Sequence, residues 1–127
     1  MATIDEELLT LAREGRLVLF FGAGASTGAK DANGSIIPDG PQLAAKLANK
    51  FLSARYATAD LKTVYDLACS NRSVRQVQRF LHDEFCGFLP TPAHLLVPQF
   101  AWAGLATTNY DLLLERAFEQ SGRHLDV

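Results

Sequence analysis

Ile4, Leu8, Leu11 and Ala12 recur on one face of residues 3–14, and Thr3 with Glu6 makes a capping-box pattern, so the chain is expected to open with a helix that Gly15 ends. The run Leu17 to Phe21 has no polar alternation, which predicts a strand covered on both faces, as at the centre of a parallel sheet. A glycine-rich loop follows directly, then the turn-rich stretch "KDANGSIIPDG". Asp39 or Gly40 ahead of Pro41 marks a helix start, with Leu43, Leu47, Phe51 and Leu52 as its buried stripe.

Two further helices are predicted near 59–69 (Leu61, Val64, Tyr65, Ala68) and 74–86 (Val77, Leu81, Phe85), the second opened by a Ser73/Gln76 capping box. Thr91 and Pro92 start a short helix that Pro98 closes. "WAGLATT" reads as a second strand, and "NYDLLLERAFEQSG" as a helix that buries Leu113, Leu114, Ala117 and Phe118 and stops at Gly122. This order predicts an α/β fold, a Rossmann-like parallel sheet flanked by helices, with ligand loops at the carboxyl ends of its strands. Two strands fall short of the five or six of a doubly wound sheet. The expectation is therefore the first part of a larger domain, or a sheet completed by neighbouring chains.

Composition narrows the partners. With 127 residues, 48% hydrophobic and 20% charged, the chain has the make-up of one globular domain. Lys and Arg number 12 against 14 Asp and Glu, a net charge of −2 that gives no electrostatic reason to expect nucleic acid or an acidic membrane. No stretch approaches the ~18 apolar residues of a spanning helix, and "MATIDEELLT" lacks the basic start and apolar core of a signal peptide, so a cytosolic protein is expected. Cys69 and Cys86 have no CxxC spacing and are expected to be free, buried thiols.

Candidate chemistry centres on "LVLFFGAGASTGAK". A loop that only turns the chain needs one or two glycines, whereas Gly22, Gly24 and Gly28 remove side chains wherever something could approach the backbone. The loop is no phosphate-binding P-loop, because Ala29 separates Gly28 from Lys30 and Asp31 stands where the magnesium-binding hydroxyl belongs. It is no dinucleotide fingerprint either, because Thr27 occupies the third glycine position. The second strand ends in "TTNYD", residues 107–111. Asn109 or Asp111 could cap the following helix, but capping needs one of them and not four polar groups in five.

"FFGAGAS" followed by "TTNYD", each after a strand, resembles the sirtuin-related NAD-consuming domains, especially the divergent bacterial branch that serves as effector in antiphage defence. The likeness covers most of residues 1–127 in order and spacing, as the N-terminal portion of one such NAD-binding domain. It implies that Gly22, Ala23, Gly24 and Ser26 lie against the pyrophosphate and adjoining ribose of NAD, with Thr108 also at the nucleotide. It implies that Asn109 is the catalytic asparagine, holding the nicotinamide ribose and a water near its anomeric carbon, and that Asp111 supports the nicotinamide pocket. Asp39 in "IPDG" is similar to part of a further family segment, with "KDANGSI" inserted before it.

The sequence also departs from the family's pattern. The family's catalytic histidine sits in a His-Gly pair beyond the asparagine, but His124 is followed by Leu125, so that role is expected beyond Val127 and residues 1–127 alone are expected to bind NAD weakly and to be inactive. His82 reads as solvated, His124 as exposed, and His94 as packed or hydrogen-bonded. Two cysteines cannot supply the zinc quartet of protein-deacylating sirtuins, so the implied activity is NAD hydrolysis, with deacylation and a non-catalytic NAD or ADP-ribose binding module as alternatives. An appended sensor or partner protein and a homo-oligomer complete the expectation.

Overall fold

The computed structural model describes residues 3–127. Along the chain run α1 (Glu6–Arg13), β1 (Val18–Phe21), α2 (Gly40–Phe51), α3 (Leu61–Asn71), α4 (Val74–Phe85), α5 (Pro92–Leu96), β2 (Gly104–Thr107) and α6 (Leu113–Ser121). Short 3-10 turns occupy Ala23–Ser26, Ala54–Tyr56 and Val97–Gln99. The fold is mixed α/β, as the order of elements predicts. The chain divides into two compact units, residues 3–26 with Leu89–Val127, and Thr27–Phe88.

The second unit is a helical packing of α2, α3 and α4. Leu43, Ala44, Leu47, Ala48 and Phe51 of α2 are buried, with Val64 and Ala68 of α3 and Val77, Leu81 and Phe85 of α4. Leu47, Val64 and Val77 are fully enclosed, and burial of each such side chain is worth about 1.5–3 kcal/mol. Caps fix the helix starts. Asp39 and Gln42 form a reciprocal capping box, Asp60 accepts from the Thr63 N–H, and Ser73 accepts from the Gln76 N–H. In the segment before α2, the Asp31 carboxylate accepts from the N–H groups of Asn33 and Ser35, and Gly34 takes a positive φ of 82°. Cys69 and Cys86 form no disulfide among the described residues and are only half-buried, not enclosed as the sequence predicts.

The first unit holds the sheet. β1 and β2 pair in parallel, with Val18 opposite Gly104 and Phe21 opposite Thr107. Leu19, Phe21 and Leu105 pack with Trp102 and Leu125 against the buried Val97, Leu114 and Phe118, so α6 and the turn at Val97–Gln99 cover one face. On the other face Val18 and Phe20 remain 66% and 63% exposed. This corrects the expectation of a strand covered on both faces. An unbroken apolar run states that both faces are apolar, not that both have found a partner, and α1 buries none of its residues. The first helix is also shorter than expected, because Asp5 rather than Thr3 is its N-cap. Gly122 ends α6 with φ 73°, as its position predicts. No helix among the described residues is long and apolar enough to cross a membrane.

Candidate functional site

Parallel pairing brings the carboxyl ends of β1 and β2 side by side, so the two sequence motifs meet. The Phe21 carbonyl accepts from the Thr108 N–H at 3.3 Å, extending the ladder by one residue beyond the strands. The next residues then part. Gly22 enters a 3-10 turn over Ala23–Ser26, and Asn109 turns back, its N–H donating to the Thr107 hydroxyl at 2.9 Å.

Side chains tie the two loops together. The Asn109 amide nitrogen Nδ2 donates to the Gly22 carbonyl at 2.9 Å and to the Ser26 hydroxyl at 3.1 Å. The Ser26 hydroxyl donates in turn to Asp111 Oδ2 at 2.6 Å, and Asp111 Oδ1 accepts from the Leu113 N–H at 3.1 Å. Ser26 is 6% exposed, which makes the chain of bonds a partly buried network, with Asn109 Nδ2 giving one hydrogen to each of two acceptors. A carboxylate at the first turn of α6 is also favoured by the helix dipole. The Gly22 carbonyl fixes the amide orientation, since only Nδ2 can donate to it. Asn109 Oδ1 accepts no hydrogen bond among the described residues and stands available to a hydroxyl or a water.

The polar surplus in "TTNYD" thus has two parts. Asp111 accepts from the Leu113 N–H ahead of the α6 N-cap position at Leu112, Thr107 fixes the turn and Asn109 bridges the loops, while Thr108 keeps an exposed side chain. Asn109 is not the helix cap. Ser26 turns its hydroxyl inward to Asn109 and Asp111. Ala23 and Gly24 are exposed, and a Cβ placed on Gly22 or Gly24 would meet nothing within 4 Å. Neither of these glycines has a positive φ; in this loop only Gly28 does, at 81°. Backbone conformation and packing therefore explain Gly28 at most. The missing side chains at Gly22 and Gly24 leave open space beside the Asn109 network. Asp39 belongs to the other unit, where its carboxylate is spent on the α2 cap.

His94 is both packed and hydrogen-bonded, as its context predicts, and it lies beside the strand ends. It is 2% exposed, and its ring stacks on Phe21 at 5.8 Å with 12° between planes. Its Nδ1 lies 2.7 Å from the Thr91 hydroxyl and accepts from the Thr91 N–H at 3.3 Å, closing a capping box at the start of α5. The signal was legible in principle as Thr91-Pro92-x-His94, a capping box with histidine in the usual Glu or Gln place. Glu115 was missed altogether: its Oε2 is buried without a hydrogen-bond partner, and nothing in the spacing marks it. His82 is 62% exposed beside Asp83, and His124 is 85% exposed beside Asp126, as their contexts predict.

Burial pushes the His94 imidazole below its ordinary value, and the nearby Asp111 carboxylate opposes that shift without reversing it. On acidification the unfolded chain therefore takes up this proton before the folded one. The stability from a neutral, buried His94 is present above the ordinary histidine value of 6.5 and declines as the pH falls through it. Melting temperatures followed downward from neutral pH are expected to fall in that window, and to fall less once His94 is replaced by Asn.

No protein-family profile and no curated protein sequence matches this chain.

Proposed function

We propose that the protein is an NAD hydrolase that cleaves the bond between nicotinamide and ribose, acting as the effector of a bacterial antiphage defence system. The observation that carries this reading is the bridge from Asn109 to Gly22 and Ser26. It ties the two motifs that resemble the sirtuin-related domains, at the carboxyl ends of two parallel strands, beside glycines that neither φ nor packing requires. Loops at that end of a parallel sheet are the usual place for a nucleotide in α/β proteins.

The chemistry asks little of acid catalysis. The nicotinamide ring nitrogen already carries positive charge, so it leaves as a neutral molecule when its bond to the anomeric carbon breaks. Water then forms the new bond to that carbon and releases a proton, giving ADP-ribose. Such a step requires orientation of the ribose, a place for the water and fixed dipoles around the developing cation. In this reading Asn109 Oδ1 takes the water or a ribose hydroxyl, and the exposed backbone at Ala23 and Gly24 faces the phosphates. Incubation of NAD with the full-length protein that carries residues 1–127, followed by chromatography, is expected to show equal release of nicotinamide and ADP-ribose without an acyl-peptide. Release that requires an acetylated peptide would identify a deacylase, and binding without release would identify a binding module.

Assembly belongs to the same proposal. The exposed Val18 and Phe20 and the two open strand edges favour association of this chain with further copies, and an appended sensor or partner protein would supply the trigger. Light scattering is expected to give a mass above that of one chain, lowered by Phe20→Lys. A monomer that unfolds sharply would count against it.

A further inference from the structure

His94 has a feature that a core histidine does not need. Nδ1 is committed to Thr91, and because the backbone N–H of Thr91 can only donate, Nδ1 must be the acceptor and the neutral ring must carry its proton on Nε2. That Nε2–H has no hydrogen-bond partner among the described residues, in a side chain only 2% exposed. Glu115 Oε2 is the fully buried side-chain polar atom without a partner among the described residues, so the Nε2 edge of the ring keeps a path to solvent and can meet a bound molecule.

Its place narrows what could match it. The ring is stacked on Phe21, the residue immediately before Gly22, whose carbonyl holds Asn109. It also lies within the electrostatic reach of Asp111, whose own oxygens are taken by Ser26 and by the Leu113 N–H. The imidazole thus belongs to the same end of the sheet as the bridged loops. The capping box holds one edge of the ring and the Phe21 ring holds its face, so the tautomer and the orientation are set before any ligand arrives.

We propose that His94 is a ligand-binding residue of this site, a donor of fixed tautomer whose Nε2–H takes an acceptor oxygen of the bound nucleotide. The assignment rests on the NAD reading above and adds a specificity element to it, because a molecule without an acceptor at that point would leave the donor unmatched.

Two substitutions separate this role from a purely structural one. In His94→Asn the side-chain oxygen stands in for Nδ1 and preserves the Thr91 cap, but the distal donor is gone. In His94→Gln the amide reaches the position of Nε2, but the Nδ1 acceptor is lost. A structural histidine tolerates Asn better than Gln; a ligand-binding one does the reverse. With NAD as the probe in ligand-observed NMR and calorimetry, His94→Asn is expected to weaken binding about tenfold while keeping the melting temperature, the scale of one neutral hydrogen bond. His94→Gln is expected to bind more tightly than His94→Asn even where it melts lower. Imidazole nitrogen shifts of the unaltered protein are expected to show the Nε2–H tautomer, and NAD is expected to move the Nε2 resonance. An Nδ1–H tautomer, or NAD binding unchanged in His94→Asn, overturns the assignment and leaves the NAD reading intact. Absence of NAD binding by the unaltered protein overturns the NAD reading itself, and this assignment with it.

Discussion

Replacement of Asn109 by aspartate is expected to reduce nicotinamide release by on the order of a hundredfold or more, the scale seen when one oriented polar group is removed from a transition-state site. The substitution is nearly isosteric, so its effect isolates the amide. In the native loop Nδ2 gives hydrogens to the Gly22 carbonyl and the Ser26 hydroxyl. A carboxylate in its place would set an acceptor against the Gly22 carbonyl, which is also an acceptor, and would add a second negative charge close to Asp111. The bridge should open and the available Oδ1 should lose its fixed direction. Loss of the bridge costs roughly 1–3 kcal/mol of stability, since the Gly22 carbonyl is left with one partner fewer in a partly enclosed place. Asn109→Ala removes the same bonds without the added charge, so it is expected to lose comparable activity and less stability. Rates and melting temperatures measured on both variants decide the matter. Activity within a few-fold of the native level in Asn109→Asp would remove asparagine from the mechanism. Had Asn109 been the helix cap, aspartate would have replaced it almost freely, but the N-cap position of α6 is Leu112 and the side chain that receives the Leu113 N–H is that of Asp111.

The second large effect is expected at Gly24. Replacement by valine should abolish NAD binding while the melting temperature barely changes. Gly24 is exposed, its φ is not positive, and a Cβ there would meet no atom of the protein within 4 Å. A surface change of this kind ordinarily alters stability by within about 0.5 kcal/mol. The branched side chain would instead fill the space that the nucleotide phosphates require in the proposed complex. Gly28 supplies the control in the same loop. With φ 81° it is strained by any side chain, so Gly28→Ala should cost about 1–2 kcal/mol of stability. The two glycines thus separate a requirement of the ligand from a requirement of the fold. NAD affinity that survives Gly24→Val would make the loop a structural turn and remove the nucleotide from its mouth.

What the sequence determined by itself is local. Pro41 behind Asp39, Gln76 behind Ser73, and Pro92 behind Thr91 place helix starts, because a cap is made within three residues of the backbone it satisfies. The stripes Leu43–Leu47–Phe51 and Leu113–Leu114–Ala117–Phe118 place buried faces, because helical spacing puts them there whatever they meet. Both candidate motifs were legible on the same terms, as polar or glycine-rich breaks where an apolar strand ends.

Only the tertiary structure decided which groups are spent on one another. Ser26 and Asp111 bond across 85 positions of sequence, and no local preference encodes that pairing; it follows from the parallel register of β1 on β2. The same register makes Asn109 a bridge and leaves the Leu113 N–H at the start of α6 to Asp111, a choice between two equally suitable residues that local preference could not make. His94 carried a recognisable capping pattern, yet its place beside Phe21 depends on how α5 packs with the strand ends. The bare face of β1 has the same origin. Apolar side chains record a capacity for burial, while burial itself requires another element at the right distance, which is a property of packing and not of any single segment.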